Sequence, residues 1–598
     1  MQIQQKIEKL RELMDQHGMQ AYIVVTDDFH GSEYVGDYFK ARAFMTGFTG
    51  SAGTLVVLKE EAALWTDGRY FLQAADQLEG SGILLMRMGE ENVPKITEYL
   101  AEHLPENSVI GFDGRTISNG FAGQLSEAVA DKHITFRFDQ DLVDRIWTDR
   151  PALSRQPVWE LDASYAGNTR EEKLEMLKAK MAEHKADYLL IAALDEIAWL
   201  LNLRGGDVLC TPVFLAYMLL EDNKAVLYVQ EEILSDSIRE KLNKCKVDTA
   251  PYESVYDALS KLSPSKTVML DGNSANYALV NSIPEGVIVV DEDSPVIAMK
   301  AVKTPAEMDH MRKAHIKDGV AVTRFIRWMQ ENVAKGGITE LGAAAKLEEF
   351  RGQQEDYVEP SFTPIIAYGP HGAIVHYDPT EETDVELEPH GFCLADTGGH
   401  YLDGTTDITR TIALGELTEE EKKAYTSVLR GHLNLGAARF VHGVFDTNLD
   451  YLAREPLWEQ GMDYNHGTGH GVGYLMNVHE GPQRFHWRVA ASGKPTVLEE
   501  GMIISNEPGL YLEGKFGIRH ENLVLVRKGE QTSYGQFMYL EPLTLVAFDR
   551  EAILPELMTE RELERLNDYH KKVYETIGPL LTEEEKRWLA GRTAPINK

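Results

Sequence analysis

The spacing of hydrophobic residues along the chain predicts three regions. Short apolar runs such as Ala21–Val25 follow an amphipathic helical segment and are typical of buried strands. The same order of helix and strands recurs over residues 156–297. From residue 298 onward, long amphipathic helices alternate with paired strands. We therefore predict a mixed α/β (α+β) protein with two similar N-terminal α/β domains, residues 1–155 and 156–297, and a third domain over residues 298–598.

Capping signals predict where the helices of the third region begin. Thr304–Glu307 combines a capping box with proline in the first turn, which predicts a helix that continues to about Val333. A second helix is expected after Thr339. The capping box at Thr418–Glu421 predicts another long helix. Beyond Pro555 the charged, periodic sequence indicates a helical C-terminal tail.

Two pairs of carboxylates lie in segments with the pattern of strand hairpins. Asp396 ends an apolar run, a glycine-rich turn follows, and Asp407 begins a segment that alternates with the period of a strand. Because side chains alternate sides along a strand, a hairpin can bring both acids to one face. Glu507 and Glu521 are expected to be arranged in the same way, with Glu521 on the strand Phe516–Val526. Carboxylates forced together repel each other unless a cation lies between them.

A glycine-rich segment with histidines separates the two acidic hairpins. His466 and His470 lie four residues apart, and His479 follows closely. The glycines that alternate with other residues over 467–473 disfavour a helix, so we predict an extended loop. Small residues there would let the backbone approach a crowded site. The position between the hairpins favours a functional role for these histidines over a structural one.

The acids of the hairpins and one histidine make a set of metal ligands dominated by hard oxygen donors. Four carboxylates and one imidazole balance about two divalent ions and suit Mn, Co, Fe or Zn. The His-Glu-x-x-His signature of one-zinc peptidases is absent from the sequence. Two metals that share carboxylates can activate a water molecule and polarise a carbonyl, which is the usual division of labour in hydrolysis. The proposed ligands are Asp396, Asp407, His470, Glu507 and Glu521.

A second glycine-rich segment, residues 42–53, suggests a phosphate-binding loop at first sight. It lacks the Lys-Ser/Thr ending of a Walker loop, and a strand follows it where a nucleotide-binding fold would have a helix. We therefore interpret this segment as a tight structural turn.

Composition and charge exclude some classes of function. The chain has 95 acidic and 60 basic residues and a formal charge of −35, which would repel phosphate backbones, so we expect no nucleic-acid binding. Three scattered cysteines give no disulfide framework, which fits a reducing compartment. The first ten residues have the pattern of an amphipathic helix, and no apolar run is long enough to span a bilayer. We expect a cytoplasmic protein without membrane contact.

Four sequence motifs resemble those of the pita-bread metallopeptidases, and in particular the Xaa-Pro aminopeptidases of the long, three-domain cytosolic type. They are Trp65–Ala74, Leu194–Gly205, Asp403–Thr411 and His466–Gly473. The resemblance extends over essentially the whole chain, and the C-terminal motifs are the more specific ones. It implies two creatinase-like N-terminal domains and a pita-bread catalytic domain with a C-terminal helical tail.

The resemblance also implies roles for individual residues. Family members use the Asp, Asp, His, Glu, Glu order of ligands, which corresponds to the set named above, with Glu507 as general base. His376, His466 and His479 would line the active site, bind the substrate and stabilise the tetrahedral intermediate or move a proton. Arg519 would orient the substrate or its surrounding network. Two divalent ions, commonly Mn²⁺, and a homodimer are expected.

Several alternatives stay open at the level of sequence. A prolidase, which cuts only Xaa-Pro dipeptides, would share this fold. A pita-bread binding module without metals and a creatinase-like metal-free hydrolase are disfavoured, because all five ligands are present. The sequence selects neither the native metal nor the preferred first residue of the substrate. It also does not determine which histidine moves the proton.

Overall fold

The computed structural model describes residues 1–221, 224–488 and 494–598. These residues form two compact units. The first unit contains residues 1–162 and 168–297, and the second contains residues 163–167 and 298–598. Among the described residues, no helix has both the length and the apolar character needed to cross a membrane.

The first half of unit one is built on a mixed six-stranded sheet with strand order β4-β3-β2-β1-β5-β6. The central strand β1 pairs antiparallel with β2 and parallel with β5. Its residues are all buried, as the unbroken apolar run predicts. The strands are β1 (Ala21–Val25), β2 (Thr54–Leu58), β3 (Ala62–Thr66), β4 (Leu84–Arg87), β5 (Val109–Gly111) and β6 (Thr135–Arg137), and the helices are α1 (Ile3–Gln16), α2 (Ala41–Thr46), α3 (Phe71–Gln77), α4 (Ile96–His103) and α5 (Asn119–Ala128).

The second half of unit one has a six-stranded sheet of the same topology, in the order β12-β11-β10-β8-β13-β14. Its central strand β8 again has one antiparallel and one parallel neighbour. The strand order of the two sheets therefore confirms the repeat that the sequence pattern predicts. The strands are β7 (Trp159–Glu160), β8 (Tyr188–Ile191), β9 (Leu203–Arg204), β10 (Ala216–Glu221), β11 (Ala225–Val229), β12 (Val247–Pro251), β13 (Thr267–Leu270) and β14 (Ile288–Asp291), and the helices from residue 163 to 301 are α6 (Ala163–Ala166), α7 (Arg170–Glu183), α8 (Leu194–Leu201), α9 (Asp236–Lys244), α10 (Ser254–Leu259), α11 (Tyr277–Asn281) and α12 (Pro295–Ala301).

The glycine-rich segment 42–53 is not a loop throughout, which corrects the prediction from sequence. Its first residues belong to helix α2, which ends at Gly47 with a φ of 77°. Glycine adopts this left-handed conformation at little cost. The guanidinium of Arg42 donates hydrogen bonds to the carbonyls of Phe48 and Gly50. The turn is thus filled by a side chain of the protein itself, as expected for a structural turn.

The helices of unit two begin where the capping signals predict. Thr304 caps α13, which ends at Asn332, and Thr339 caps α14. Thr418 caps α15 with a complete capping box. The tail beyond Pro555 is helical, as predicted. The helices of this unit after α12 are α13 (Pro305–Asn332), α14 (Glu340–Arg351), α15 (Glu419–Gly436), α16 (Tyr451–Trp458), α17 (Glu560–Ile577) and α18 (Glu583–Arg592).

Two antiparallel sheets form the framework of unit two, in the orders β16-β17-β20 and β21-β28-β27-β24. Three smaller sheets, β15-β18-β19, β22-β23 and β25-β26, accompany them. The strands are β15 (Tyr357–Pro360), β16 (Ile365–Tyr368), β17 (Phe392–Thr397), β18 (Gly399–Tyr401), β19 (Gly404–Thr405), β20 (Ile408–Ala413), β21 (Arg439–Val441), β22 (Gly469–His470), β23 (Arg484–Phe485), β24 (Ile503–Asn506), β25 (Gly509–Leu512), β26 (Phe516–Arg519), β27 (Asn522–Thr532) and β28 (Gly535–Pro542).

A buried ion cluster fixes the loop of residues 471–480 in unit two. The carboxylate of Glu480 lies 3.0 Å from Nζ of Lys300 and 2.8 Å from Nζ of Lys303, and all three side chains are at most 4% exposed. The Glu480 amide donates to the carbonyl of Gly471 at 2.7 Å. Because buried ammonium groups are costly without a counter-charge, Glu480 ties this loop to the start of the unit.

We predict that Glu480→Gln lowers the free energy of unfolding by about 3–5 kcal/mol, because it leaves two buried ammonium groups unpaired. Urea denaturation measures the change. The matched control is Glu420→Gln, which breaks the exposed ion pair with Lys515 and is expected to cost less than about 1 kcal/mol. Equal effects of the two substitutions would contradict the structural role of the cluster.

Candidate metal centre

The first acidic hairpin forms as the sequence predicts. Strands β17 and β20 pair antiparallel, with Asp396 opposite Thr409. Directly paired residues of antiparallel strands share one face of the sheet, and residues two apart on one strand do so as well. Asp407 lies two residues before Thr409. Asp396 and Asp407 therefore face the same side.

The second pair of acids is held by a different arrangement from the one predicted. Glu507 directly follows β24, Glu521 directly precedes β27, and these two strands pair with each other. The hairpin β25–β26 is inserted between them. The segment Phe516–Val526, predicted as a single strand, is interrupted at residues 520–521 because its two halves pair with different partners.

The imidazole of His470 completes the cluster. Its Nε2 lies 3.5 Å from Oδ2 of Asp407 and 3.3 Å from Oε1 of Glu507. One ligand atom from each of Asp407, His470 and Glu521 lies within 4.8 Å of the other two. The cluster thus contains Asp407, His470 and Glu521, and Glu507 joins it through His470. Asp396, the fifth predicted ligand, interacts with the charges of Asp407 and Glu507.

Glycines allow the backbone at His470 to approach its neighbours. His470 lies on the short strand β22, so the predicted extended conformation is confirmed. A Cβ atom on Gly469 would lie 1.8 Å from the carbonyl oxygen of Ser505, and one on Gly471 would lie 1.9 Å from that of Glu480. No side chain fits at either position. The alternating glycines are therefore required by packing around the cluster.

The electrostatics of the cluster fit a cation. Oδ1 of Asp396, Oδ1 of Asp407 and Oε1 of Glu521 are buried and have no hydrogen-bond partner within the described ranges. Burial raises the pKa of Asp396 to about 6, although Arg519 opposes the shift. Burial and the charge of Asp407 raise the pKa of Glu521 well above its usual value. Unpaired oxygens whose negative charge is disfavoured are what a divalent cation would stabilise.

The pKa of His470 also indicates a site for a cation. Burial disfavours its charge, but the hydrogen bond with Asp407 and the charges of Glu507 and Asp407 outweigh burial and raise the pKa to about 9. The imidazole thus lies in a strongly negative field. A metal ion would take the place of the proton, because ligation requires the neutral ring.

Arg519 is tied into the site by all three nitrogens of its guanidinium. It is 1% exposed. Its guanidinium bonds the carboxylate of Asp396, donates to the hydroxyl of Tyr511 at 2.7 Å and donates through Nε to Thr409 at 3.2 Å. These contacts fit one of the two roles predicted for Arg519, which is to orient the network around the substrate.

Tyr511 belongs to the site but was not predicted from the sequence. Its hydroxyl accepts from Arg519 and lies 2.9 Å from Nε2 of His466. The only available signal was the register of the β25–β26 hairpin. Gly509 lies opposite Arg519, which brings Tyr511, two residues further, to the face of Arg519.

The three histidines predicted to line the active site differ in how they contact the cluster. The ring of His479 packs on that of His470, with centroids 4.2 Å apart. His466 is linked to Asp396 by a chain of hydrogen bonds that runs through Tyr511 and Arg519. His376 lies on the turn that follows the short 3-10 helix Gly369–Ala373, and Gly372 of that helix packs against Gly517 of β26. None of the three is among the residues whose ligand atoms converge.

His520, adjacent to Glu521, belongs to the core instead of the site. It is fully buried, and its ring centroid lies 4.2 Å from that of Tyr425 and 5.5 Å from that of Phe548. Burial lowers its pKa well below the usual value, so the ring is neutral.

Family models match four segments of the chain. Residues 6–141 and 149–307 match models of the creatinase/prolidase N-terminal domain. Residues 309–528 match metallopeptidase family M24, and residues 536–596 match the C-terminal region of peptidase M24. The fold is accordingly two creatinase-type N-terminal domains and a pita-bread M24 domain.

Full-length relatives and a solved structure narrow the assignment. Xaa-Pro aminopeptidase 1 of Dictyostelium discoideum is 38% identical, with 99% of this chain and 97% of the relative covered. Aminopeptidase P2 of Arabidopsis thaliana is 37% identical, with 100% of this chain and 89% of the relative covered. X-prolyl aminopeptidase of Caenorhabditis elegans, described as a cytosolic enzyme with a di-nuclear active site, matches with a TM-score of 0.95 and 34% identity over 100% of both chains. The chain therefore belongs to the Xaa-Pro aminopeptidase (aminopeptidase P) family within metallopeptidase family M24.

Proposed function

We propose that the chain is a metallopeptidase that removes the N-terminal residue from peptides with proline in the second position. The observation that carries this proposal is the convergence of Asp407, Glu507 and Glu521 on His470, beside the carboxylate of Asp396. The full-length similarity to Xaa-Pro aminopeptidases supports the substrate class.

The proposed ligands of two divalent ions are Asp396, Asp407, His470, Glu507 and Glu521. We propose Mn²⁺ as the native ion. When bound, such ions lower the pKa of a water molecule and polarise the scissile carbonyl. Within this set Glu507 is the proposed general base, and its Oε1 accepts a hydrogen bond from the Ser505 hydroxyl at 3.0 Å. That bond fixes the carboxylate for proton transfer.

The histidines and Arg519 have complementary proposed roles. His479, whose ring lies edge-on against that of His470, is the proposed donor to the oxyanion of the tetrahedral intermediate. His466 and His376 bind the substrate or move the proton to the leaving proline nitrogen. Arg519 keeps Asp396 and Tyr511 in position through its hydrogen bonds.

The hydrogen bonds of Arg519 favour an aminopeptidase over a prolidase. A prolidase must bind the free carboxylate of a dipeptide with fixed positive charge. Arg519 is buried, and Asp396, Tyr511 and Thr409 already accept from its three nitrogens. It is therefore a poor clamp for a substrate carboxylate. A substrate that continues beyond proline does not need such a clamp.

Three further proposals concern the protein as a whole. The domains are residues 1–155, 156–297 and 298–598, and limited proteolysis would test these boundaries. The protein is a homodimer, which a mass in solution near twice the 67.2 kDa of the chain would support. It acts in the cytoplasm, where fractionation would locate it.

We predict that Asp407→Asn abolishes turnover and reduces bound metal, because an amide cannot supply the charge that two cations require. Elemental analysis and peptide hydrolysis measure the two effects. Glu513→Gln, an exposed substitution on the turn of the β25–β26 hairpin, is the control and is expected to keep both properties. Full activity of the Asp407 variant at normal metal content would exclude Asp407 from the site.

We predict that His479→Ala lowers kcat by a factor of roughly 10² to 10⁴ without loss of metal, because it removes a donor to the transition state and leaves the ligands intact. His442→Ala, an exposed histidine paired with Glu499, is the matched control and is expected to have no effect. Metal loss as large as in Asp407→Asn would mean that His479 is a ligand.

We predict that Ala-Pro-Ala is cleaved at the Ala–Pro bond with a higher kcat/KM than Ala-Pro. The physical reason is the absence of a free cationic clamp at Arg519. Acetylation of the amino terminus is expected to stop cleavage almost completely, since a single residue is removed from a free end. A clear preference for the dipeptide would favour the prolidase alternative.

A further inference from the structure

A buried ion pair in unit two lies at the start of helix α16. Asp450 directly precedes the helix and Arg454 lies within it, and both side chains are 0% exposed. Nε of Arg454 donates to Oδ2 of Asp450 at 2.8 Å. A buried ion pair is stable only when its remaining donors and acceptors also have partners. Those partners come from segment 463–468, which carries His466.

Arg454 fixes the backbone of segment 463–468 at two points. Nη1 donates to the carbonyl of Tyr464 at 2.9 Å, and Nη2 donates to the carbonyl of His466 at 2.7 Å. Nη1 also donates to the Asp463 carboxylate at 2.6 Å. The guanidinium lies 3.8 Å from the centroid of the Tyr464 ring, which adds a cation–π contact. The backbone from which the His466 side chain projects is therefore held by a fixed positive charge.

The hydroxyl of Thr468 binds the second oxygen of Asp450. Oγ1 of Thr468 donates to Oδ1 of Asp450 at 2.6 Å. Tyr464 also bonds Oγ1 through its own hydroxyl. Because a threonine hydroxyl has a single hydrogen, which the carboxylate accepts, Tyr464 is the donor of this second bond. Thr468 is 0% exposed, so both bonds form away from solvent.

The backbone of Thr468 connects this network to the metal centre. Its carbonyl accepts a hydrogen bond from the amide of Glu507 at 2.8 Å. Along the chain, Thr468 is two residues from His466 and two residues from His470. A shift of Thr468 would therefore move the backbone of the proposed base and of the histidines on either side.

We propose that Asp450, Arg454 and Thr468 are positioning residues for the peptidase reaction. Asp450 and Arg454 hold segment 463–468, and Thr468 transmits its position to the amide of Glu507. The network thus sets the distance between the His466 ring and the proposed base. A displacement of catalytic groups by about 1 Å can cost a factor of about 10² in rate. This inference rests on the proposed function and extends it to three residues outside the proposed ligand set.

Kinetics of Thr468→Val test the proposal. Valine keeps the shape of threonine and removes the hydroxyl, so segment 463–468 loses its bond to Asp450. At saturating Mn²⁺ we expect kcat to fall by a factor of about 10 to 100 and KM to stay within about threefold, because the loss concerns the transition state. Wild-type kcat in this variant would overturn the proposal. A loss of kcat that disappears when Mn²⁺ is raised would assign the network to metal binding alone and would also overturn it.

Two control variants separate positioning from stability. Thr468→Ser removes a buried methyl group but keeps the hydroxyl, and we expect its kcat within about threefold of the wild type. Thr426→Val removes another hydroxyl of a residue that is 0% exposed, with one bond to the carbonyl of Lys422 and one from the amide of Leu554. We expect this variant to be less stable but to keep a normal kcat. Equal kcat in the two Thr468 variants, or an equal loss in Thr426→Val, would overturn the proposal.

Hydrogen exchange gives a readout that does not depend on activity. The amide of Glu507 donates to Thr468, so its exchange, followed by mass spectrometry of peptides that contain it, reports the position of segment 463–468. We expect about fivefold to tenfold faster exchange in Thr468→Val and the wild-type rate in Thr468→Ser. Unchanged exchange in Thr468→Val would overturn the proposal. If exchange changes as expected but wild-type protein cleaves no Xaa-Pro peptide, the positioning stands and the proposed function fails.

Tyr464→Phe provides a second variant if Thr468→Val folds poorly. It removes only the hydroxyl that donates to Thr468 and keeps the ring in contact with Arg454. We expect kcat to fall by a factor of about 3 to 10, since Thr468 keeps its bond to Asp450. Wild-type kcat together with wild-type exchange at Glu507 would contradict the proposed positioning.

Discussion

Repulsion among buried carboxylates is the constraint on which the second unit depends. Asp396, Asp407 and Glu521 each keep one buried oxygen without a partner among the described residues, and such groups are expensive to bury when charged. Arg519 and Thr409 stabilise the opposite oxygens of Asp396 and Glu521. This leaves the remaining oxygens and the His470 ring for a cation.

Strand ends are suited to this task. Each acid lies at or beside the end of a strand whose register is fixed by its neighbours, so its side chain has one direction. His470 is on a short strand that reaches the same place only because Gly469 and Gly471 let backbone atoms come closer than any Cβ would allow. The buried pairing of Glu480 with Lys300 and Lys303 secures the far end of that loop. The loop of residues 471–480 and the strand ends thus fix the positions of the proposed metal-ligand atoms.

The hydrophobic periodicity and the helix-capping signals were sufficient to predict much of this arrangement of strands and helices. The alternation of side chains placed Asp396 and Asp407 on one face, and Thr304 and Thr418 marked helix starts correctly. The two errors at the metal centre have a common cause, because the sequence does not show which strand pairs with which. A continuous apolar alternation predicted one strand where two different partners divide it at residues 520–521. Tyr511 was missed for the same reason, since only the hairpin register brings it to Arg519.

Strand β20 connects the acidic cluster to the core of unit two. Its threonine at 409 bonds the Glu521 carboxylate, whereas the guanidinium of Arg410, the next residue, packs over the ring of Phe548 at 4.2 Å. Arg410 still reaches back to the Glu521 carbonyl, so the two faces share a residue pair. The acceptors of Arg410 among the described residues are all neutral, so this guanidinium holds the backbone of Glu521 without occupying a carboxylate oxygen of the cluster. Positive charge thus lies next to the acids while their unpaired oxygens stay open for a cation.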